Sequence, residues 1–317
     1  MAYETFLELL VQKLQSALGD DFQFILRPLP RNNGVTLDGL TLQGPGIQLA
    51  PTIYLNPYYQ RFLKGTSIDS IISEILQLYH STPSPFPSNS ESLADFELFK
   101  SKIMFRMIHR ASNQVLLSDV PHIPYMDLAI IFFLALEKTN SGQITALIHN
   151  NHARMWNVST KDLWKMAQEN TPREYPAEIK SMTEILKEIS LENPDHICSN
   201  IFSDIEEQDS LEIVPLYILS NQSGLYGASC MIYQDILKDF ANQLEKDLII
   251  LPSSVHEVLL TPDTVNFSYD DLSTMVQTIN TQDVSLEDRL SNQVYLYTRK
   301  DNQINIASRK YPDPSLS

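Results

Sequence analysis

Residues 128–136 read LAIIFFLAL, an unbroken apolar run closed by Asp127 on one side and Glu137 on the other. The run falls far short of the ~20 residues a helix needs to span a bilayer. It predicts a strand covered on both faces. Residues 144–148 return after the turn-forming Asn140, Ser141 and Gly142, and that spacing predicts a central antiparallel hairpin.

Around this hairpin the pattern alternates between periods. Phe6, Leu9, Leu10, Leu14 and Leu18 share one helical face ahead of Gly19, a C-cap residue type. Residues 22–26 and 35–42 read as extended segments separated by Pro28, Pro30 and Asn33-Gly34, and 47–55 as a third. Ile68, Ile71, Ile72, Ile75, Leu76 and Tyr79 repeat at three and four and predict a helix. After a Pro/Ser-rich loop over 82–92, a second helix is expected over 93–110, with Lys102, Arg106 and Arg110 along one face. Residues 115–117 read as a short extended piece. Ser159 to Asp162 resembles a capping box that opens a helix ended by Pro172, and another helix is expected over 176–188.

Residues 191–212 carry Glu192, Asp195, Asp204, Glu206, Glu207, Asp209 and Glu212 without a single Lys or Arg, which predicts a linker. The domain reading is an N-terminal α+β unit over 1–190, an acidic linker over 191–212 and a C-terminal α+β unit over 213–317. In the last unit the order is strand 213–219, helix 229–244, strands 248–251 and 255–260, helix 268–279 and a hairpin of 294–297 with 304–307. Hairpins outnumber any βαβα rhythm. The fold class is therefore α+β, with mixed, largely antiparallel sheets flanked by helices and no doubly wound nucleotide fold.

With 39 acidic against 23 basic side chains the net charge is −16, which repels a polyanion at long range and disfavours nucleic acid as a partner. The two cysteines, Cys198 and Cys230, are too few for a disulfide scaffold and lack zinc-ligand spacing. Reduced thiols in a cytoplasm are expected. The apolar N-terminal stretch contains Glu4 and Glu8, which does not suit a secretory signal, and no membrane partner is expected.

Residues 248–263, LIILPSSVHEVLLTPD, place Ser253, Ser254, His256 and Glu257 at a polar corner between two apolar runs. Polar groups at such a place are either solvated or used. If the corner is extended, Ser254 and His256 point to one face while Ser253 and Glu257 point to the other. There is no GxSxG elbow. Asn221, Gly224 and Gly227 belong to a second candidate, a turn running through Ser223 to Ser229 that could meet an anion with backbone N–H groups, although it matches neither phosphate-loop pattern. His149, His152 and His122 lack further donors at metal-ligand spacing, so no metal is expected. Lys102, His109, Arg106 and Arg110 form the one basic surface suited to phosphate, and the aromatics of YLNPYYQRF suit either core packing or an exposed ridge.

Five segments together resemble a family of bacterial proteins known only as a domain of unknown function, met mostly in gut clostridia and their mobile elements. They are YLNPYYQRF at 54–62, the 119–129 stretch, the turn at 221–228, LPSSVHEVLLTPD at 251–263 and LSNQVYLYTRK at 290–300. The resemblance implies a bacterial cytoplasmic setting and lends no catalytic residue. The chain reads as a protein-interaction or regulatory binding module without a cofactor, its oligomeric state open. Two alternatives stand beside that reading: a hydrolase using His256 with a Ser or Cys nucleophile, and an anion or nucleotide binder at Ser223 to Ser229.

Overall fold

A computed structural model describes residues 1–45, 52–81, 95–139, 142–185, 215–252, 254–264 and 268–308. The Pro/Ser-rich loop, the hairpin residues Asn140 and Ser141, the acidic segment with Cys198, and Ser253 lie outside the described residues.

The first hydrophobic core belongs to the N-terminal quarter. Helix α1 (Tyr3–Leu18) buries Phe6, Leu10 and Leu14 and ends at Gly19, whose φ of 86° only glycine adopts without cost. Strands β1 (Gln23–Pro30), β2 (Thr36–Gln43) and β3 (Thr52–Tyr54) form an antiparallel sheet in that order. The β1–β2 turn holds Asn33 at φ 56° and Gly34 at φ 73°, the left-handed pair that the Asn-Gly dipeptide supplies. Helices α2 (Asn56–Leu63) and α3 (Ile68–Ser81) complete the core. Tyr59 and Phe62 of YLNPYYQRF pack against Phe6, so these two aromatics are core-packing groups.

The second core is built on an antiparallel sheet of β4 (Ile103–His109), β5 (His122–Tyr125), β6 (Leu128–Thr139) and β7 (Gly142–Leu147), with α4 (Gln114–Leu117) between β4 and β5. The apolar run lies in β6, which pairs with all three other strands, and the expected β6–β7 hairpin is present. Helix α5 (Asn150–Met155) follows, then α6 (Thr160–Glu174), capped by Ser159 and Asp162.

A six-stranded sheet flanks this unit. It uses β8 (Ala177–Ser181), β9 (Tyr217–Asn221), β10 (Leu248–Leu251), β11 (Val258–Pro262), β12 (Tyr295–Thr298) and β13 (Gln303–Ile306) in the order β13-β12-β10-β11-β9-β8. Helices α7 (Ile236–Leu244) and α8 (Tyr269–Gln282) accompany it. Every strand pair among the described residues is antiparallel, and the class is α+β. On either side of the acidic segment, β8 and β9 are neighbouring strands, and one core mixes Phe132 and Leu163 with Leu219 and Leu260.

Several local expectations are corrected. Residues 93–110 do not form one helix: two 3-10 turns, Phe96–Leu98 and Lys100–Lys102, precede β4. The reason is tertiary, since β6 needs an apolar neighbour and IMFRMIH supplies one that is buried on both faces. Lys102, Arg106 and Arg110 therefore share no helical face. Residues 115–117 are helical, and the helix expected over 176–188 is replaced at its start by β8. The helix expected over 229–244 is a 3-10 turn, Gly227–Ile232, and then α7, because Asp235 at φ 61° interrupts it.

Candidate functional site

The polar corner is a turn and not a strand. The Ser254 amide donates to the Glu257 carbonyl at 3.3 Å, and the Ser254 hydroxyl donates to the Glu257 carboxylate at 2.9 Å. Ser254 and Glu257 thus meet, against the expectation that an extended corner would send them to opposite faces. The Ser254 hydroxyl also accepts from the His256 amide at 3.0 Å, which fixes the backbone that carries the imidazole.

His256 is held on one side by the turn at 221–227 and on the other by Asp288. Its Nδ1 faces the Gly224 carbonyl at 3.0 Å and the Tyr226 amide at 3.4 Å. Carrying a proton, Nδ1 donates to the carbonyl; bare, it accepts from the amide. Nε2 lies 3.3 Å from the Asp288 carboxylate. The ring stacks on Tyr226 with centroids 5.9 Å apart and planes 10° from parallel. Tyr226 adopts φ 55°, a left-handed conformation rare for an aromatic residue, and such outliers persist where the surroundings impose them. Gly227 shows what imposes it. A Cβ there would collide with the Ser220 hydroxyl and the His256 carbonyl, so the two segments touch backbone to backbone.

The turn at 221–227 is satisfied from within. Asn221 accepts from the Ser223 amide at 3.0 Å and donates to the Leu225 carbonyl at 2.8 Å, while the Ser223 hydroxyl accepts from the Leu225 amide at 3.2 Å. Ala228 and Ser229 donate their amides to the Val255 and Tyr226 carbonyls. The backbone N–H groups of Ser223, Leu225, Ala228 and Ser229 are therefore already engaged.

What the sequence does not bring to notice is the opposite wall. Arg31 and Asn32 arrive from the β1–β2 turn, and Glu287 and Asp288 from the turn after α8. Arg31 Nε donates to Glu287 at 2.6 Å, Asn32 donates to the Glu287 carbonyl at 2.6 Å, and Asn33 donates to the Leu286 and Arg289 carbonyls. These contacts cross more than 250 positions of chain, so no spacing rule finds them. Arg106 comes from β4 and lays its guanidinium 4.3 Å from the Tyr226 ring centroid. Together these groups enclose a cleft of about 210 Å³ with His256 and Tyr226 in its wall.

Of the other candidates, Cys230 is buried and its thiol is pushed up to about 12 by that burial, which makes it a poor nucleophile. His149 Nδ1 meets Asp119 at 2.8 Å, and His152 Nδ1 accepts from the His149 amide at 3.1 Å. Among the described residues no group of three or more His, Cys, Asp or Glu side chains is placed to hold a metal ion. No described helix is long and apolar enough to cross a membrane.

The architecture and cleft define an α+β protein whose N-terminal unit packs its own core and whose recess is lined by the β1–β2 turn of that unit together with residues of the larger unit. The chain belongs to a family of unknown function, DUF5688, whose profile matches residues 3–299. Comparison with curated proteins gives no match, and neither does comparison with solved structures.

Proposed function

We propose that the protein acts by binding, as a protein-interaction or regulatory module, and that the cleft around Tyr226 and His256 is its recognition site. One observation carries the reading: Arg31 and Asn32 come from the β1–β2 turn of the N-terminal unit while Arg106 comes from β4 and Tyr226 and His256 from turns of the larger unit, so an occupant touches both units at once. The engagement of both His256 ring nitrogens, by the 224–226 backbone and by Asp288, further favours a positioned recognition group. A bacterial cytoplasm is the proposed setting, resting on the family resemblance and on the thiol content.

The test is affinity capture with the full chain at physiological salt, comparing wild type, Tyr226→Ser, and Val115→Ser at an exposed site outside the cleft lining. A partner held by wild type and Val115→Ser but lost by Tyr226→Ser supports the proposal. Equal recovery by all three, or no recovery at all, counts against it.

The 3.3 Å approach of Asp288 to His256 favours a second reading, a hydrolase in which Asp288 orients the imidazole. Among the described residues the ring hydrogen-bonds no Ser hydroxyl or Cys thiol, so the nucleophile would have to come from elsewhere. Unchanged ester turnover in a His256→Ala variant removes that reading.

A further inference from the structure

Arg106 is the polar exception on an apolar face. Side chains 104, 106 and 108 of β4 point the same way, and Met104 and Ile108 are both buried. An arginine costs free energy at such a position unless its donors are used. Yet Arg106 Nε is buried without a hydrogen-bond acceptor, and no carboxylate among the described residues pairs with this guanidinium. Its flat face rests on Tyr226, which leaves the edge, where the N–H groups project, for another group.

The other charges around the cleft already have partners. Arg31 pairs with Glu287 at 2.6 Å, and Asp288 accepts from the Ser285 hydroxyl at 2.7 Å and faces His256. Two guanidinium groups stand against two carboxylates. A ligand with several negative charges would be repelled by Glu287 and Asp288, whereas a single negative charge placed at Arg106 meets a cation that no carboxylate among the described residues pairs. Size points the same way. The cleft, about 210 Å³, falls below the roughly 300–1,000 Å³ of sites that take drug-sized ligands. It suits a group the size of one side chain.

Resting on the binding reading above, we infer that this cleft is a carboxylate receptor in which Arg106, its Nε shielded, donates its two terminal N–H groups to the two oxygens of one carboxylate. Paired parallel N–H···O bonds of this kind suit the guanidinium fork and a planar carboxylate. The carboxylate is either that of a small free acid or one borne by a partner's acidic side chain. Tyr226 holds the guanidinium plane, and the β1–β2 turn closes the far wall.

The experiment follows the Arg Nε–Hε resonances of the full chain during titration with sodium acetate, with sodium chloride and inorganic phosphate as matched controls and a blocked Gly-Glu-Gly peptide as a second ligand. An Arg106→Lys variant identifies the resonance and keeps the charge while removing the fork. The expected result is a saturable shift of the Arg106 signal with acetate or the peptide, and an affinity about tenfold weaker in Arg106→Lys, as loss of a paired charge-assisted contact implies. The tighter of the two carboxylates identifies the source. A flat response, an equal response to chloride, or tighter binding of phosphate overturns the inference. Thermal shift of the wild-type chain with the same solutes gives an independent reading if the lysine variant does not fold. A flat titration with partner capture still lost in Tyr226→Ser would reject the carboxylate while leaving the binding reading intact. Both fail together if capture is also unchanged.

Discussion

Tyr295 donates its hydroxyl proton to the buried carboxylate of Asp127 at 2.8 Å, joining the start of β6 to β12 across 168 positions of chain. Ser291 donates to the other oxygen of the same carboxylate at 2.5 Å. The apolar strand is thus anchored at its entrance by an acid that would be costly to bury without these donors. The same contact holds the phenol in its neutral form, because burial first and the Asp127 charge second raise the Tyr295 pKa well above its usual value. Tyr295→Phe removes one charge-assisted hydrogen bond and leaves an acceptor short of a donor. It should lower stability by about 1.5–3 kcal/mol in urea unfolding, and an unchanged midpoint would show that the contact contributes nothing.

Gly227→Ala tests the backbone approach that forms the cleft. The added Cβ would meet the His256 carbonyl and the Asn221 amide, both backbone groups that cannot swing aside. Destabilisation of about 1–3 kcal/mol is expected, as for overpacking at other tight sites. Crystallographic superposition with wild type should show the 254–257 turn displaced from Tyr226.

Acid should weaken the fold through His152. Burial chiefly, and His149 beside it, lower its pKa in the folded state, and its Nδ1 already accepts the His149 amide. The unfolded chain therefore binds a proton here more readily than the folded one. The contribution is fully present above the unfolded value of about 6.5 and is lost as pH falls below it towards the lowered folded value. Unfolding midpoints measured between pH 7.5 and 5 should fall less steeply for His152→Gln than for wild type. Parallel profiles would remove His152 from the account.

Cys230 should resist thiol reagents in the folded protein. Its thiol is buried and pushed up to about 12, so almost no thiolate exists at neutral pH. In a Cys198→Ser background, labelling by an aromatic disulfide reagent should be absent until denaturant is added. Prompt labelling of the native chain would show that the site opens.

Local chemistry alone determined a good part of this protein. The period of three and four in α1 and α3, the Ser159–Asp162 cap of α6, the Asn33-Gly34 turn and the β6–β7 hairpin all arise from residues close in sequence, and all stand where the pattern puts them. The turn at Ser254, His256 and Glu257 and the turn carrying Asn221, Gly224 and Gly227 were also legible as unusual, although not as neighbours. Tertiary structure decided the remainder. IMFRMIH has an apolar pattern that either a helix or a doubly covered strand can use, and only pairing with β6 selects the strand. The cleft was beyond reach for a related reason: Arg31, Arg106, Tyr226, His256 and Asp288 come from five separate turns and strands, and their meeting depends on packing between elements that no spacing along the chain encodes.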